Sequence, residues 1–244
     1  MKMKKTLKWI GATIWEAFKN AIPSVPIYAA AGSILIMFTW KETLVWDETS
    51  VLWTCICLLL AMAYNAFVGH AQGGMGYEML VSGNINRRSA GDYGEGYRIS
   101  SHKEVKEYRV WKGFLTGGMI GLFPIVFGVL AGIFLGDKGI TTDSVENQSG
   151  GMFFLISIFV SGWSLVPFYS MNASGLHVSY YWSCLFAILP VIVSGIFYIV
   201  GAYARRNKNL RLQRIADEKA LEESTKVKKI NYGGLPGTKP RKRK

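Results

Sequence analysis

The stretch "GGMIGLFPIVFGVLAGIFLG", residues 117–136, is the most strongly patterned apolar segment of the chain. It contains no charged residue over a length close to the roughly 20 residues that a helix needs to cross the hydrocarbon core of a bilayer. Five of its glycines fall within about 100° of one another on an ideal helix; they are Gly117, Gly121, Gly128, Gly132 and Gly136. Small residues at such spacing allow close helix approach in lipid. The segment therefore predicts a glycine-zipper transmembrane helix, kinked at Pro124, whose packing partner within one chain, in a homo-oligomer or along a solute path stays open.

Uncharged segments of similar length recur along the chain. They cover residues 21–40, 51–69, 113–136, 151–170 and 178–204. Half of all residues are hydrophobic and only 18% are charged, against about 25% charged in soluble domains. The sequence therefore predicts an all-α integral membrane protein, with a bundle of four to five transmembrane helices over residues 21–204.

The distribution of charge predicts which connections share a side of the membrane, because Lys and Arg accumulate on the cytoplasmic side. Residues 1–20 hold five positive charges against one negative, the connection 71–112 holds seven against five, and residues 204–244 hold 14 against four. Residues 41–50 and 137–150 each hold one positive and three negative charges. This alternation predicts a plasma or cytoplasmic membrane protein with its N-terminus, long connection and tail inside.

Segment 151–170 conflicts with that alternation, because five crossings would leave the N-terminus and the tail on opposite sides. Gly162 and Pro167 favour an interrupted helix that returns to the outer face. Such re-entrant backbone requires burial in protein or a water-filled cavity. The alternatives are five crossings with the tail outside, or a misleading signal from the few charges of residues 137–150. The sequence favours a tail inside and leaves this segment as the doubtful span.

The N-terminal 20 residues predict an amphipathic interfacial helix. Apolar residues recur at helical spacing at Leu7, Ile10, Ile14, Ala17, Phe18 and Ala21. Trp9 and Trp15 are suited to the headgroup layer of a membrane. The helix is expected to anchor the bundle at the inner face, with lipid sensing or partner docking as the alternative.

The tail, residues 205–244, predicts contact with anionic lipids at the inner face of the bilayer. The basic residues nearest the last apolar segment are Arg205, Arg206, Lys208, Arg211 and Arg214, and basic residues near an anionic surface each contribute about 1 kcal/mol. A protein partner is the second interpretation of this tail. Nucleic acid is the least favoured, because Tyr232 is the one aromatic residue beside the terminal basic run "KPRKRK".

The connection 71–112 is rich in glycine and tyrosine, but it lacks the signatures of known cofactor sites. Its glycines do not follow the G-x-G-x-x-G or G-x-x-x-x-G-K-[ST] order of phosphate-binding loops, and no H-E-x-x-H pair occurs. A loop followed by a short helix is expected, since Ser101 and Glu104 form a capping box. No catalytic residue, cofactor or metal site is predicted. The candidate contacts with a partner or ligand are His70, Tyr77, Glu78, Tyr93 and Tyr97, with Asn65 and Trp163 in the spans.

The predicted spans carry no Asp, Glu, Lys or Arg, which argues against a proton-coupled pump with a buried carboxylate. Neutral polar groups remain for solute contacts at Asn65, Ser157, Ser161, Trp163, Ser164 and Ser194. The first hypothesis is a small transporter, or the membrane subunit of a transport complex. The alternative is a membrane scaffold or assembly factor that recruits a cytoplasmic partner through its tail and loop. A membrane enzyme is the third hypothesis and is not the expectation.

Overall fold

A computed structural model describes residues 2–40, 44–93, 104–135 and 148–230 of the chain. These residues form six α-helices, which are α1 (Lys2–Ala21), α2 (Val25–Thr39), α3 (Glu48–Tyr93), α4 (Trp111–Leu135), α5 (Gln148–Ala173) and α6 (Ile188–Ile230). Short 3-10 helices lie at Ile22–Ser24, Glu104–Lys106 and Tyr180–Ala187. The described residues contain no β-strand, so the predicted all-helical class is confirmed.

Among the described residues, five helical stretches are long and apolar enough to cross a membrane. They are Thr6–Thr39, Glu48–Ile85, Trp111–Leu135, Met152–Ala173 and Tyr180–Thr225. Their number and apolar character are compatible with the predicted integral membrane protein. Residues 1–202 form one compact unit, which contains the bundle, and residues 203–244 form a second.

One end of the bundle, here called the proximal end, is defined by contacts with α1. The side-chain amide of Gln72 in α3 donates a hydrogen bond to the carbonyl of Asn20 at 3.0 Å. The rings of Trp9 in α1 and Trp111 at the start of α4 lie 6.0 Å apart. Gly201 of α6 lies directly against the backbone of His70. The start of α2, the middle of α3, the start of α4 and residue 202 therefore meet at this end.

The opposite, distal end gathers both ends of α5. The backbone amide of Trp46, just before α3, donates to Ser174 Oγ at 2.7 Å, immediately after α5. Near the other end of α5, the ring of Phe153 lies 5.8 Å from that of Phe134 in the last turn of α4. Helix α5 thus begins and ends beside the same face of the bundle, while α2, α3, α4 and the 180–202 segment run from one end to the other.

Helix α5 achieves this path by folding back at Ser161, whose φ of −134° and ψ of 15° are not helical. The hydroxyls of Ser157 and Tyr169 are hydrogen-bonded at 2.9 Å, and the rings of Phe154 and Tyr169 lie 5.5 Å apart. Twelve residues on a straight helix would separate Ser157 from Tyr169 by about 18 Å. The two arms of α5 therefore lie side by side, as the re-entrant alternative for residues 151–170 requires. The break lies beside Gly162, whereas Pro167 stays within the second arm.

The bend of α5 packs directly against the backbone of α2. A methyl group built on Gly32 would lie 2.6 Å from the Ile158 carbonyl oxygen and 2.9 Å from Gly162 Cα. Real side-chain carbons do not come that close to backbone, so both glycines are needed at this crossing. Every residue from 161 to 170 is buried, so the second arm of α5 lies at the centre of the bundle, whereas Met152, Leu155 and Phe159 of the first arm are exposed.

The glycine face of α4 lies against the segment 180–198 of the same chain. Gly117 faces the backbone of Pro190 and Val191, and Gly121 faces Ala187, where a methyl group would lie 2.7 Å from the carbonyl oxygen. Gly128 faces Ser183, and Gly132 faces the ring of Tyr181. Gly136 lies outside the described residues. Of the packing partners left open by the sequence, the structure shows one within the chain.

The structure departs from two expectations for local structure. The predicted loop after residue 69 is helical to Tyr93, because Gly73 and Gly76 allow α3 to continue across Tyr198 without a clash. The expected short helix near the capping box is only the 3-10 turn Glu104–Lys106, and Ser101 lies outside the described residues.

Helix α1 divides its apolar residues between two faces rather than presenting one. Ala17 and Ala21 are buried, while the larger apolar side chains of Leu7, Ile10, Ile14, Trp15 and Phe18 are exposed. The alanines face the bundle because their small size permits a close approach of α1. The exposed face is what an interfacial helix would offer to lipid.

Candidate functional site

Four neutral side chains lie at or beside the bend of α5, and we refer to them as the bend cluster. They are Tyr28 from α2, Asn65 from α3, and Ser161 and Trp163 from α5, each no more than 1% exposed. The Gly32–Gly162 crossing positions them, because Tyr28 lies one helical turn before Gly32 and Trp163 directly follows Gly162. The rings of Tyr28 and Trp163 are stacked with centroids 5.1 Å apart.

The bend cluster contains more hydrogen-bonding groups than the described protein satisfies. The side-chain amide of Asn65 donates to the Tyr28 hydroxyl, but Asn65 Oδ1 has no partner among the described residues. Flipping the Asn65 amide would exchange its oxygen and nitrogen, and one of these two atoms would still have no partner among the described residues. Ser161 Oγ and Trp163 Nε1 are likewise buried without a partner in the described part of the chain.

Such groups are costly, at about 1–3 kcal/mol for each buried polar group left without a hydrogen bond. Buried polar atoms in native proteins are normally paired, with protein or with ordered water. An indole N–H, a hydroxyl and a leftover amide atom together offer both donors and an acceptor.

A local hydrogen bond and aromatic contacts with the 180–187 helix support the bend of α5. Ser164 Oγ donates to the Ser161 carbonyl at 2.9 Å, which satisfies an acceptor where the helix is interrupted. Tyr169 packs edge-on against Tyr180 at 5.4 Å, and Phe186 lies 6.2 Å from Trp163. The cluster is therefore supported from α2, α3, the 180–187 helix and both arms of α5.

The electrostatic character of the bend cluster is neutral. Among the described side chains, the charged groups that are buried are Glu107 and Lys112, and both lie at the proximal end, in or beside the first turn of α4. A neutral site in a low-dielectric interior binds ions poorly, since nothing compensates their desolvation. In the described part of the chain, no group of three His, Cys, Asp or Glu side chains is placed to hold a metal ion.

The structure brings together some of the predicted contact residues and separates others. Asn65 and Trp163 meet through Tyr28 in the bend cluster. His70 and Glu78 are exposed on α3, and Tyr77 is half-buried there. Tyr93 ends α3 without a described side chain, and Tyr97 lies outside the described residues. Ser194, another predicted polar contact, is buried against Gly69 and Gly113 instead.

Tyr28 is the member of the bend cluster that the sequence analysis missed. It is the one hydroxyl-bearing aromatic residue in the run "IYAAAGSILIMF", and it precedes Gly32 by four residues. A polar aromatic residue one turn from a glycine inside an apolar helix is the signal that could have identified it. Its partners lie 37 and 135 residues away, so no local pattern predicts them.

A second polar region lies at the proximal end. The Arg87 guanidinium forms an ion pair with Glu107 at 2.8 Å, and the Glu107 side chain is almost fully buried. The hydrogen bond to Glu107 raises the pKa of Arg87. The ammonium of Lys112 donates to the carbonyls of Val105 and Glu107, so this connection is tied to the start of α4.

In comparisons with protein-family models, with curated proteins and with solved structures, nothing matches this chain. Function therefore has to be inferred from the chain's own geometry.

Proposed function

We propose that this chain is a multi-pass membrane transport protein in which small neutral, hydrogen-bonding solutes pass through the bend cluster. The observation that carries the proposal is the folded-back helix α5, whose bend buries neutral polar groups that have no hydrogen-bonding partner among the described residues. The chain acts either alone or as the membrane subunit of a larger transport complex.

Broken helices support this proposal, because backbone of that kind is tolerated at membrane depth only where it is enclosed by protein or lines a water-filled cavity. In transporters, discontinuous helices place substrate sites near the middle of the bilayer. Each arm of α5 is about 12 residues or about 18 Å long. Starting from one face of a hydrocarbon core about 30 Å thick, such an arm would place the bend cluster near mid-depth.

The proposed topology has four crossings, by α2, α3, α4 and the 180–202 segment, with α5 re-entrant from the distal side. Residues 1–20 and residue 202 then share one face. The excess of Lys and Arg in residues 1–20 and 204–244 favours the inner face of a plasma or cytoplasmic membrane for this side. The exposed apolar face of α1 would lie along that membrane face, and Arg205, Arg206, Lys208, Arg211 and Arg214 would contact its anionic lipids.

The chemistry of the bend cluster indicates the solute class. With no charge and with both donors and acceptors, it favours small neutral solutes such as glycerol or urea over ions. The stacked Tyr28 and Trp163 rings form an apolar wall, and Asn65 supplies the amide.

Reconstituted liposomes test this function with the full-length chain. Glycerol and urea entry after an osmotic step is followed by stopped-flow light scattering, beside protein-free liposomes. We expect faster entry of at least one solute, and we expect Asn65→Leu and Trp163→Phe to abolish the gain. Ser194→Ala, which removes a buried hydroxyl from α6 outside the cluster, is the matched control and should transport normally. Entry at the protein-free rate for both solutes would refute a self-contained solute path.

A scaffold or assembly factor is the second candidate, favoured by residues 203–244. This unit is separate from the bundle unit, and the side chains of residues 206–208 and 210–225 are exposed along a mixed-charge helix. Gentle purification of the full-length chain and of a chain ending at Ala204 tests it. A stoichiometric partner held only by the full-length chain would support recruitment through the tail; no stoichiometric partner with either chain would exclude it.

A further inference from the structure

A cleft of about 200 Å³ lies at the proximal end, between α1, α3, α4 and the part of α6 before residue 202. We refer to it as the proximal cleft. The side chains that matter for its chemistry are Glu16, Gln72, Met75, Met79, Lys106 and Lys112. It is separate from the bend cluster and contains none of its residues.

The proximal cleft lies where the uncharged part of the bundle meets its charged end. On α4, Lys112 is the last charged residue before the uncharged run of residues 113–136. On α3, residues 51–69 are uncharged, and Gln72 and Met75 follow within two turns. The edge-on pair Trp9 and Trp111 lies at the same end. Tryptophan and the limit of the uncharged run both mark the headgroup layer of a membrane.

The walls of the proximal cleft differ in polarity. Met75 and Met79 are 58% and 38% exposed, which leaves flexible apolar side chains uncovered beside the opening. The other side carries two ammonium groups and one carboxylate, from Lys106, Lys112 and Glu16. An amphiphilic ligand, with charged groups at one end and an apolar part at the other, would match this division.

The side chain of Lys112 is buried in the wall of the cleft and does not extend into solvent. Its side chain is 9% exposed, and its ammonium donates to the carbonyls of Val105 and Glu107. An ammonium has three donors, so one N–H is left for a ligand. A fixed donor of this kind loses little conformational entropy when it binds.

The pattern of charge selects among headgroups. The lysines favour a phosphate, while Glu16 would repel a purely anionic headgroup and favours a cation beside the phosphate. A primary ammonium donates hydrogen bonds to a carboxylate, whereas a quaternary ammonium has no N–H to donate. We infer that the proximal cleft binds a phosphoethanolamine group, with its phosphate at Lys106 and Lys112, its ammonium at Glu16, and the rest of the ligand along Met75 and Met79.

Two sources can supply this group, a phosphatidylethanolamine headgroup or free phosphoethanolamine. For the lipid, native mass spectrometry of the purified full-length chain compares retention of phosphatidylethanolamine, phosphatidylcholine and phosphatidylglycerol with identical acyl chains. For the soluble compound, the midpoint of thermal unfolding is measured with phosphoethanolamine or choline phosphate. We expect one phosphatidylethanolamine per chain to be retained in preference to the other two lipids.

Variants locate the binding. Glu16→Gln and Lys106→Ala should each lower phosphatidylethanolamine occupancy about tenfold, as loss of a charged hydrogen bond predicts. Glu48→Gln at the distal end and Lys19→Ala on α1 outside the cleft make the same charge changes and should have no effect. Stabilisation by phosphoethanolamine alone, without lipid retention, would support the site and assign it to the soluble compound.

Three results would overturn the inference. They are equal retention of the ethanolamine and choline lipids with no shift from phosphoethanolamine, preferred retention of phosphatidylglycerol, or occupancy unchanged by both cleft variants. The lipid comparison uses the unmodified chain, so it decides the matter even where a variant folds poorly. Solute entry into liposomes is a separate measurement, and its failure would leave this inference standing.

Discussion

Helices α4 and α5 have nearly the same composition but follow different paths. They are 25 and 26 residues long, both carry an internal proline and several glycines, and apart from Lys112 in the first turn of α4 neither contains a charged residue. Helix α4 runs unbroken from the proximal to the distal end, whereas α5 folds back at Ser161 and returns to the distal end. Proline does not explain the difference, because Pro124 and Pro167 both lie within helical backbone.

The difference lies in what each helix packs against. The glycines of α4 follow one stripe, so a single antiparallel neighbour, residues 180–198, covers it along its length. In α5, Gly162 packs against Gly32 of α2 at a single crossing point. The two arms of α5 pack against each other. Hydropathy thus identifies a segment that is apolar enough for a membrane, but it does not determine whether the helix runs straight or folds back.

Accessibility from the two sides of a membrane gives the largest expected contrast. In a chain with Cys55, Cys57 and Cys184 replaced by alanine, Met152→Cys and Leu176→Cys at the two ends of α5 should react with an impermeant maleimide from the same side. Val110→Cys and Phe134→Cys at the ends of α4 should react from opposite sides. Labelling of α5 from opposite sides would mean that it crosses, and the comparison would fail.

Gly32→Leu should produce the largest loss of stability. The new side chain would collide with the backbone of Ile158 and Gly162, and overpacking of this kind costs about 3 kcal/mol when backbone cannot yield. The free energy of unfolding in detergent is the measurement. Gly118→Leu on α4, where a methyl group would meet nothing within 4 Å, is the control. An equal loss in both variants would show that the Gly32 crossing has no special role.

Tyr169→Phe should have a moderate effect, because it removes the hydrogen bond between the arms of α5 and keeps the ring. We expect the free energy of unfolding to fall by about 1 kcal/mol. Tyr203→Phe, at an exposed ring, is the matched control and should be neutral. Unchanged stability in Tyr169→Phe would mean that ring packing alone holds the arms together.

Trp163→Phe should have the smallest effect on stability. It removes some buried ring area but also an indole N–H that has no partner among the described residues, and these two contributions oppose each other. We expect a change within about 1 kcal/mol in the same unfolding assay. A much larger loss would indicate that this N–H has a structural partner, which would weaken the case for a guest site at the bend.

The sequence identified the apolar segments and three members of the candidate site. Asn65, Ser161 and Trp163 stand out as neutral polar residues in uncharged runs, and the alternation of charge marked residues 151–170 as the doubtful span. Tyr28 was missed because its importance depends on contacts with α3 and α5. The sequence did not predict the continuation of α3 to Tyr93, because glycines by themselves favour a loop. The packing of Gly73 and Gly76 against Tyr198 is a tertiary contact that no local pattern predicts.

Hydropathy and helical periodicity, which are local properties, determined by themselves that this chain is helical, that five segments are apolar enough for a membrane, and that one of them conflicts with the charges around it. The tertiary structure alone decided that α5 folds back and that its bend gathers a neutral polar cluster. The physical reason is that a helix of this composition continues or breaks according to which neighbouring helix packs its backbone against it. In α5 this packing depends on Gly32 of α2, which lies 130 residues before Gly162 in the sequence.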